Sequence, residues 1–328
     1  QENNIETLNY QTKETKSMKK IVALAMAATM VGSFGMMASA ETADLTIGWV
    51  PTTLNNPFWK AMQGGIEEAM TELGMDPASQ LITVDANSDQ TTMNNYVNDL
   101  LNQEVDAIIL APMDCTAVTE ALLACESAGV PVINVDTAVD AVDKVVAVIA
   151  SDNYKAGVDC ANDMMSKLEK GSKIAVMNQP SGTACVQREQ GFVETAGDYF
   201  EIVSTTDTSG DTAKTLTAAD DALNADPDLA AFFCINDMGA LGCVQSCAAA
   251  GRDDVLIYGV DGNPDFMGYV ADGSATASAA QQPSVIGKMA VDAVMKAVAG
   301  EEVEHDQVVD VALITGENIG DFDITDWQ

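Results

Sequence analysis

LTIGWVPTTLNNPFWKAMQGG, residues 45–65, holds the order on which the fold turns: an apolar run, a polar loop, then a helix. LTIGWV carries no charge and reads as a strand buried on both faces. Asn56 suits a helix cap, Pro57 suits the first helical position, and Gly74 ends the helix. Met62, Ile66, Ala69 and Leu73 recur at helical spacing and mark a stripe that faces a core. Neighbouring helix positions are rotated by about 100°, so Phe58 and Trp59 cannot both sit centrally on that stripe. Phe58 leads into it, and Trp59 lies to one side at the first turn. An aromatic face there offers a flat apolar surface to the C–H face of a small molecule. The same two rings would also serve as a staple at the helix entry.

Working outward, the rhythm repeats. LITV (81–84), DAIILA (106–111), PVINV (131–135) and VVAVIA (145–150) complete the strand candidates of the first half. KIAVM (173–177), EIVST (201–205), AAFFCI (230–235), VLIYGV (255–260) and ATASAA (275–280) follow in the second. Amphipathic segments such as 57–73, 90–103 and 116–128 lie between strands. Strand–helix alternation with continuous apolar strands predicts parallel sheets covered on both faces. The units divide at about residue 150, so two similar α/β lobes are expected. No long Pro- or Gly-rich linker separates them, which predicts short crossings and a cleft. Ligands of open α/β sheets bind beyond the carboxyl ends of the strands. Polar residues collect there: Asp136-Thr137 after PVINV, Asn236-Asp237 after AAFFCI, and Asp261-Gly262-Asn263 after VLIYGV. Each has a plainer reading as a cap or turn, but the repetition at corresponding ends argues for a site.

Composition narrows the function. With 15 Lys and Arg against 50 Asp and Glu, the formal net charge is −35. Nucleic acid is excluded as a partner, because phosphates must be neutralised by basic side chains. Met18-Lys19-Lys20, the apolar run IVALAMAATMVGSFGMM and Ala38-Ser39-Ala40 describe a secretory signal peptide over 18–40, cut before Glu41. A membrane anchor is the competing reading of that run. No cysteine stands at the cleavage point, so lipid attachment is not indicated. Residues 1–17 precede the expected initiator Met18 and are read as an upstream extension without a role. The seven cysteines form no C-x-x-C, and the single His305 gives no zinc pattern. Buried free thiols are expected, and neither a metal nor a cofactor is.

With TLNNPFW, VPVINVDT, IASDNYKAG (149–157), GTACVQREQGF (182–192), FCINDMGALG (233–242), YGVDGNPD (258–265) and ASAAQQPSVIG (277–287) in order, the chain resembles a known family. It is similar to periplasmic sugar-binding proteins of the ribose/galactose type, the soluble receptors of ABC importers, from about Leu45 to about Ile314. The resemblance implies two doubly wound parallel-sheet lobes joined by a three-strand hinge, the type I periplasmic binding protein fold, in a class that closes about its ligand. Crossings are expected near Ser151-Asp152, Gln281-Gln282 and Asp310-Val311. The N-terminal lobe is then 44–151 plus 282–310, and the C-terminal lobe 152–281 plus 311–328. It also implies a ribose-type pocket of Asn56, Phe58, Trp59, Asp136, Arg188, Asn236, Asp261 and Gln281. Rings would face the sugar, carboxylates accept its hydroxyls, and the guanidinium donate a planar fork. Two positions depart from ribose binders: Thr137 replaces an arginine and Val260 replaces an aromatic. A roomier, less cationic pocket follows. A pentose, hexose, polyol or furanosyl signalling molecule all fit, and no aromatic occurs in TTDTSGDT (205–212) to supply a further ring.

The implied partners are a small sugar or polyol, a membrane ABC permease and, as a lesser reading, a chemoreceptor. An extracytoplasmic monomer is expected. A sugar-responsive repressor would need a basic helix-turn-helix ahead of the core, where an export signal stands instead. An enzyme is disfavoured: no G-x-G-x-x-G follows the first strand, no G-x-S-x-G occurs, and the single histidine lies near the C-terminus. Asp261-x-Asn263-x-Asp265 alternates like a calcium loop but lacks its sixth-position glycine and later glutamate. Arg188→Ala or Asp261→Ala is expected to abolish binding while leaving the unliganded melt nearly unchanged.

Overall fold

Two six-stranded sheets of matching topology organise the chain in a computed structural model that describes residues 44–328. The signal-peptide reading of 18–40 and the extension at 1–17 lie outside the described residues. The first sheet contains β1 (Ile47–Val50), β2 (Leu81–Thr83), β3 (Ala107–Leu110), β4 (Val132–Val135) and β5 (Ala147–Ser151). The second contains β6 (Lys173–Asn178), β7 (Glu201–Asp207), β8 (Ala231–Cys234), β9 (Leu256–Asp261) and β10 (Ala277–Ala280). Each is completed by a strand from the chain's end: β11 (Asp306–Val309) pairs with β5, and β12 (Ala312–Thr315) with β10. The orders β11-β5-β4-β3-β1-β2 and β12-β10-β9-β8-β6-β7 are the same pattern twice. All pairings are parallel except β10–β12.

The strands form where apolar runs can be buried on both faces. Along β1, Ile47 and Trp49 join one core cluster, while Val50 joins the cluster on the opposite face. The second sheet is divided in the same way, with Phe232 on one side and Phe233 on the other. This follows from the two-residue period of a strand. The helices are α1 (Pro57–Glu72), α2 (Pro77–Gln80), α3 (Gln90–Asn102), α4 (Thr119–Ala128), α5 (Asn153–Lys167) and α6 (Thr183–Ala196). They continue with α7 (Thr212–Ala225), α8 (Asp237–Ala250), α9 (Pro264–Asp272) and α10 (Pro283–Ala299). The α1 stripe is Met62, Ile66 and Met70 rather than a run ending in Leu73, which is exposed. The helix ends at Glu72, and Gly74 turns the chain away in the left-handed region at φ 76°.

The chain crosses between sheets three times: after β5, after β10, and between β11 and β12. The crossings bind one another. Asp152 N donates to Val309 O at 2.9 Å, and Gln282 Nε2 donates to Asp310 O at 3.1 Å. Adjacent short crossings permit rotation of one sheet layer against the other, the mechanics of a hinge. Among the described residues no helix is long and apolar enough to cross a membrane. All seven cysteines are unpaired, and Cys234 Sγ lies 3.5 Å from Cys243 Sγ.

Candidate ligand-binding site

Strand ends of both sheets converge on one cavity of about 500 Å³. Its lining includes Asn56, Phe58, Trp59, Asp136, Thr137, Arg188, Asn236, Asp261 and Gln281. Val260 is elsewhere. Its side chain is fully buried with Tyr258, Ala277 and Ala279 in the second sheet's core, because the strand period turns it away from Asp261.

The first wall is aromatic. Asn56 caps α1 by accepting from Phe58 N at 2.9 Å, which fixes the helix entry and the two rings that follow. Phe58 and Trp59 meet edge to face, with centroids 5.0 Å apart. Trp49 stands behind Trp59 at 6.4 Å. Both rings therefore serve core and cavity together. Beside them, Asp136 occupies the left-handed region at φ 64°. Its carboxylate accepts from Thr137 Oγ1 at 2.7 Å. Asn134 holds that loop, donating to Thr137 O at 2.9 Å and accepting from Val139 N at 3.0 Å. The sequence signal for this support was a polar residue inside the apolar run PVINV.

Polar bonding dominates the second wall. Arg188 Nε donates to Asn153 Oδ1 at 2.7 Å, and Nη1 donates to Ile235 O at 2.8 Å and Asp261 Oδ1 at 3.3 Å. The same carboxylate oxygen accepts from Gln281 Nε2 at 2.6 Å. Glycines make this geometry possible. A methyl at Gly157 would overlap the Arg188 carbonyl oxygen, and one at Gly191 that of Tyr154. The close approach of α5 and α6 thus brings Arg188 against Asn153. Under Asp261, itself at φ 136°, lies the fully buried Asp237. It accepts from Ser278 Oγ at 2.8 Å and from Asn263 N at 2.7 Å. Ser278 Oγ in turn accepts from Gly262 N at 3.0 Å. Asn263 caps α9 by accepting from Asp265 N, so the alternation Asp261-x-Asn263-x-Asp265 builds a helix entry. Asn153 was not singled out in the sequence, since an Asn at a helix start reads first as a cap, and Asp237 was marked there only as a polar strand end.

Electrostatics follow from burial. Removal from water raises Asp261 to about 6, opposed by Arg188 and the Gln281 bond. Asp136 is raised by burial and pulled back by Arg188 and Thr137. Asp237 is pushed well up by burial, with the Asp261 charge adding to it. Bonding capacity is left over. Gln281 Oε1 is buried without a protein partner. Among the described residues, Arg188 Nη2 and the second oxygen of Asp136 bond to no protein group. The rims meet across the cavity: Thr183 Oγ1, from the second sheet's side, donates to Ala138 O at 2.9 Å. The loop 209–212 also lines the cavity and contributes no ring.

Paired doubly wound sheets, three adjacent crossings and a buried polar–aromatic cavity between strand ends define a hinged solute receptor. Residues 47–302 match the periplasmic binding protein domain family, and the chain belongs to that family. The ribose import binding protein of Bacillus subtilis (strain 168) is 35% identical over 267 residues, covering 81% of this chain and 86% of its own. The D-allose-binding periplasmic protein of Escherichia coli (strain K12) is 28% identical over 304 residues, 88% of this chain and 96% of its own. An ABC transporter solute-binding protein from Agrobacterium vitis, solved with bound D-fucose, aligns with a TM-score of 0.78 at 30% identity. That alignment covers 84% of this chain and 96% of the other. The resemblance drawn from the sequence is thereby borne out for family and fold.

Proposed function

We propose that this protein captures a neutral sugar or polyol between its lobes and delivers it, enclosed, to an ABC permease. One observation carries the reading: a single cavity offers flat rings on one side and unspent donors and acceptors on the other. A sugar presents both an apolar C–H face and adjacent hydroxyls, each a donor and an acceptor. Phe58 and Trp59 take the face; Asp136, Asp261, Gln281 Oε1 and Arg188 Nη2 take the hydroxyls, with Asn56 and Asn236 completing the ring. Thr137 gives one Asp136 oxygen a hydrogen-bond donor and adds no charge, which suits a neutral ligand. The named relatives, which bind ribose and allose, support this class of solute.

The lobes in this reading are 44–151 plus 282–310 and 152–281 plus 311–328, with Trp327 reaching across to the first lobe's core. Burial strengthens every polar contact inside the closed cleft. The protein works outside the inner membrane, as a monomer, by binding rather than turnover. A thermal-shift screen over pentoses, hexoses, polyols and furanoses tests it. A ligand at about 100 times its Kd adds about 2.7 kcal/mol to folded-state stability. If none of these raises the melting temperature, the reading fails; if a sugar is converted to product, the binder assignment fails.

A further inference from the structure

Beyond β12 the chain runs as a strap over both lobes. Ile319, Phe322 and Ile324 are half-buried on the second lobe's core. Three residues later, Trp327 packs against the first lobe's core and meets Phe58 edge to face, with centroids 5.6 Å apart and planes at 75°. The strap's end is folded on itself. Gln328 Nε2 donates to Asp323 O at 2.9 Å, and Trp327 N donates to Asp326 Oδ1 at 2.8 Å. Phe58 is thus held between two tryptophans, Trp59 and Trp327, while lining the cavity.

We propose that Trp327 is a positioning residue: it fixes the Phe58 ring from behind and ties the two lobes together, so that the strap tunes how tightly and how selectively the cavity holds its ligand. This rests on the sugar-binding reading of the cavity. An edge-to-face neighbour restricts the ring to one orientation, so less freedom remains to be lost when a ligand's flat face settles on it. The tie adds a fourth connection to the three crossings. Moving the lobes apart must either carry the strap along or undock Trp327.

The test uses the full chain with Trp327→Ala, Trp327→Phe and Phe58→Leu, alone and combined. Without any sugar, hydrogen exchange at the Phe58 and Trp59 amides should quicken about three- to tenfold in Trp327→Ala. Unchanged exchange there overturns the proposal, whatever the cavity binds. With the best sugar from the screen, Trp327→Ala should weaken binding about three- to tenfold and change the affinity ratio between pentose and hexose ligands. Trp327→Phe should restore both. In the Phe58→Leu background, Trp327→Ala should have little further effect. An equal loss in both backgrounds, or an unaltered affinity ratio, overturns the positioning role. Should Trp327→Ala lower the unliganded melt by several degrees, Trp327→Leu keeps apolar volume there and carries the same test. A wild-type chain that binds no sugar defeats the reading of the cavity, and the exchange measurement still decides the strap.

Discussion

One topology is repeated in the two lobes, but each copy is armed differently. The first lobe turns two rings and a carboxylate–hydroxyl pair toward the cavity, with no ion pair among them. The second turns in Arg188, Asp261 and Gln281, bonded to one another through the protein alone. One wall supplies shape and the other supplies a fixed electrostatic frame. A matching fold therefore does not dictate matching chemistry: strand ends recur by topology, and what stands on them is free to vary.

The sharpest way to break this contrast is Arg188→Ala. Arg188 is 4% exposed and makes three protein hydrogen bonds, so its removal strands a buried Asp261. Breaking a buried pair costs about 3–5 kcal/mol, and loss of a charged donor to the ligand costs about tenfold to hundredfold in affinity. The expectation of an unchanged unliganded melt does not survive this burial. Calorimetry should show binding weakened by that factor together with a melt lowered by several degrees. A normal melt with normal affinity would remove the second wall from the site.

Much of this was legible in residue order. Apolar runs ending in Asp or Asn gave the strands and the cavity, because a strand buried on both faces must be continuously apolar and its polar exit must lie at an edge. TLNNPFW announced its cap and rings because capping chemistry is local. What stayed hidden depends on contacts distant in sequence. Asn153 meets Arg188 only because Gly157 and Gly191 let two helices touch. Asp237 reads as a helix-start residue and turns out to anchor the Asp261 loop from below. Val260 adjoins Asp261 in the chain but faces the core, because successive strand residues point to opposite faces. Trp327 gave no signal at all, since nothing in DITDWQ says which lobe its ring will reach.

Acidification sharpens the contrast from the electrostatic side. Asp261 titrates at about 6 when folded and at about 3.9 when unfolded. The folded state therefore binds its proton more tightly. The stability this contributes is fully present below pH 3.9 and is lost as pH rises through about 6. The unliganded protein should gain on this account between pH 7 and 5. Hydroxyl donors need the ionised form, so sugar affinity should fall, by about tenfold for each pH unit well below 6. The sugar-induced rise in melting temperature should shrink over the same interval. A shift that is flat from pH 7 to 5 would place Asp261 outside the ligand's contacts. On the aromatic wall, Trp59→Leu keeps apolar volume and removes the flat face. Its effect should be about tenfold in affinity with little change in this pH profile, because no titrating group is touched.

The smallest effect belongs to the rims. Thr183 donates across the cleft to Ala138 O at 2.9 Å, and Cys115 Sγ lies 3.6 Å from Ser181 O beside it. Neither contact reaches the cavity, so Thr183→Val should leave the chemistry of both walls intact. What it removes is one hydrogen bond present only when the lobes are together, worth about 0.5–1.5 kcal/mol. A bond confined to the closed state shifts the open–closed balance and not the intrinsic fit. Stopped-flow fluorescence of Trp59 should then show sugar leaving about two- to tenfold faster, with association nearly unaltered and selectivity among sugars retained. Changed selectivity would mean that the rim reads the ligand directly, and the division of labour between walls and rim would have to be redrawn.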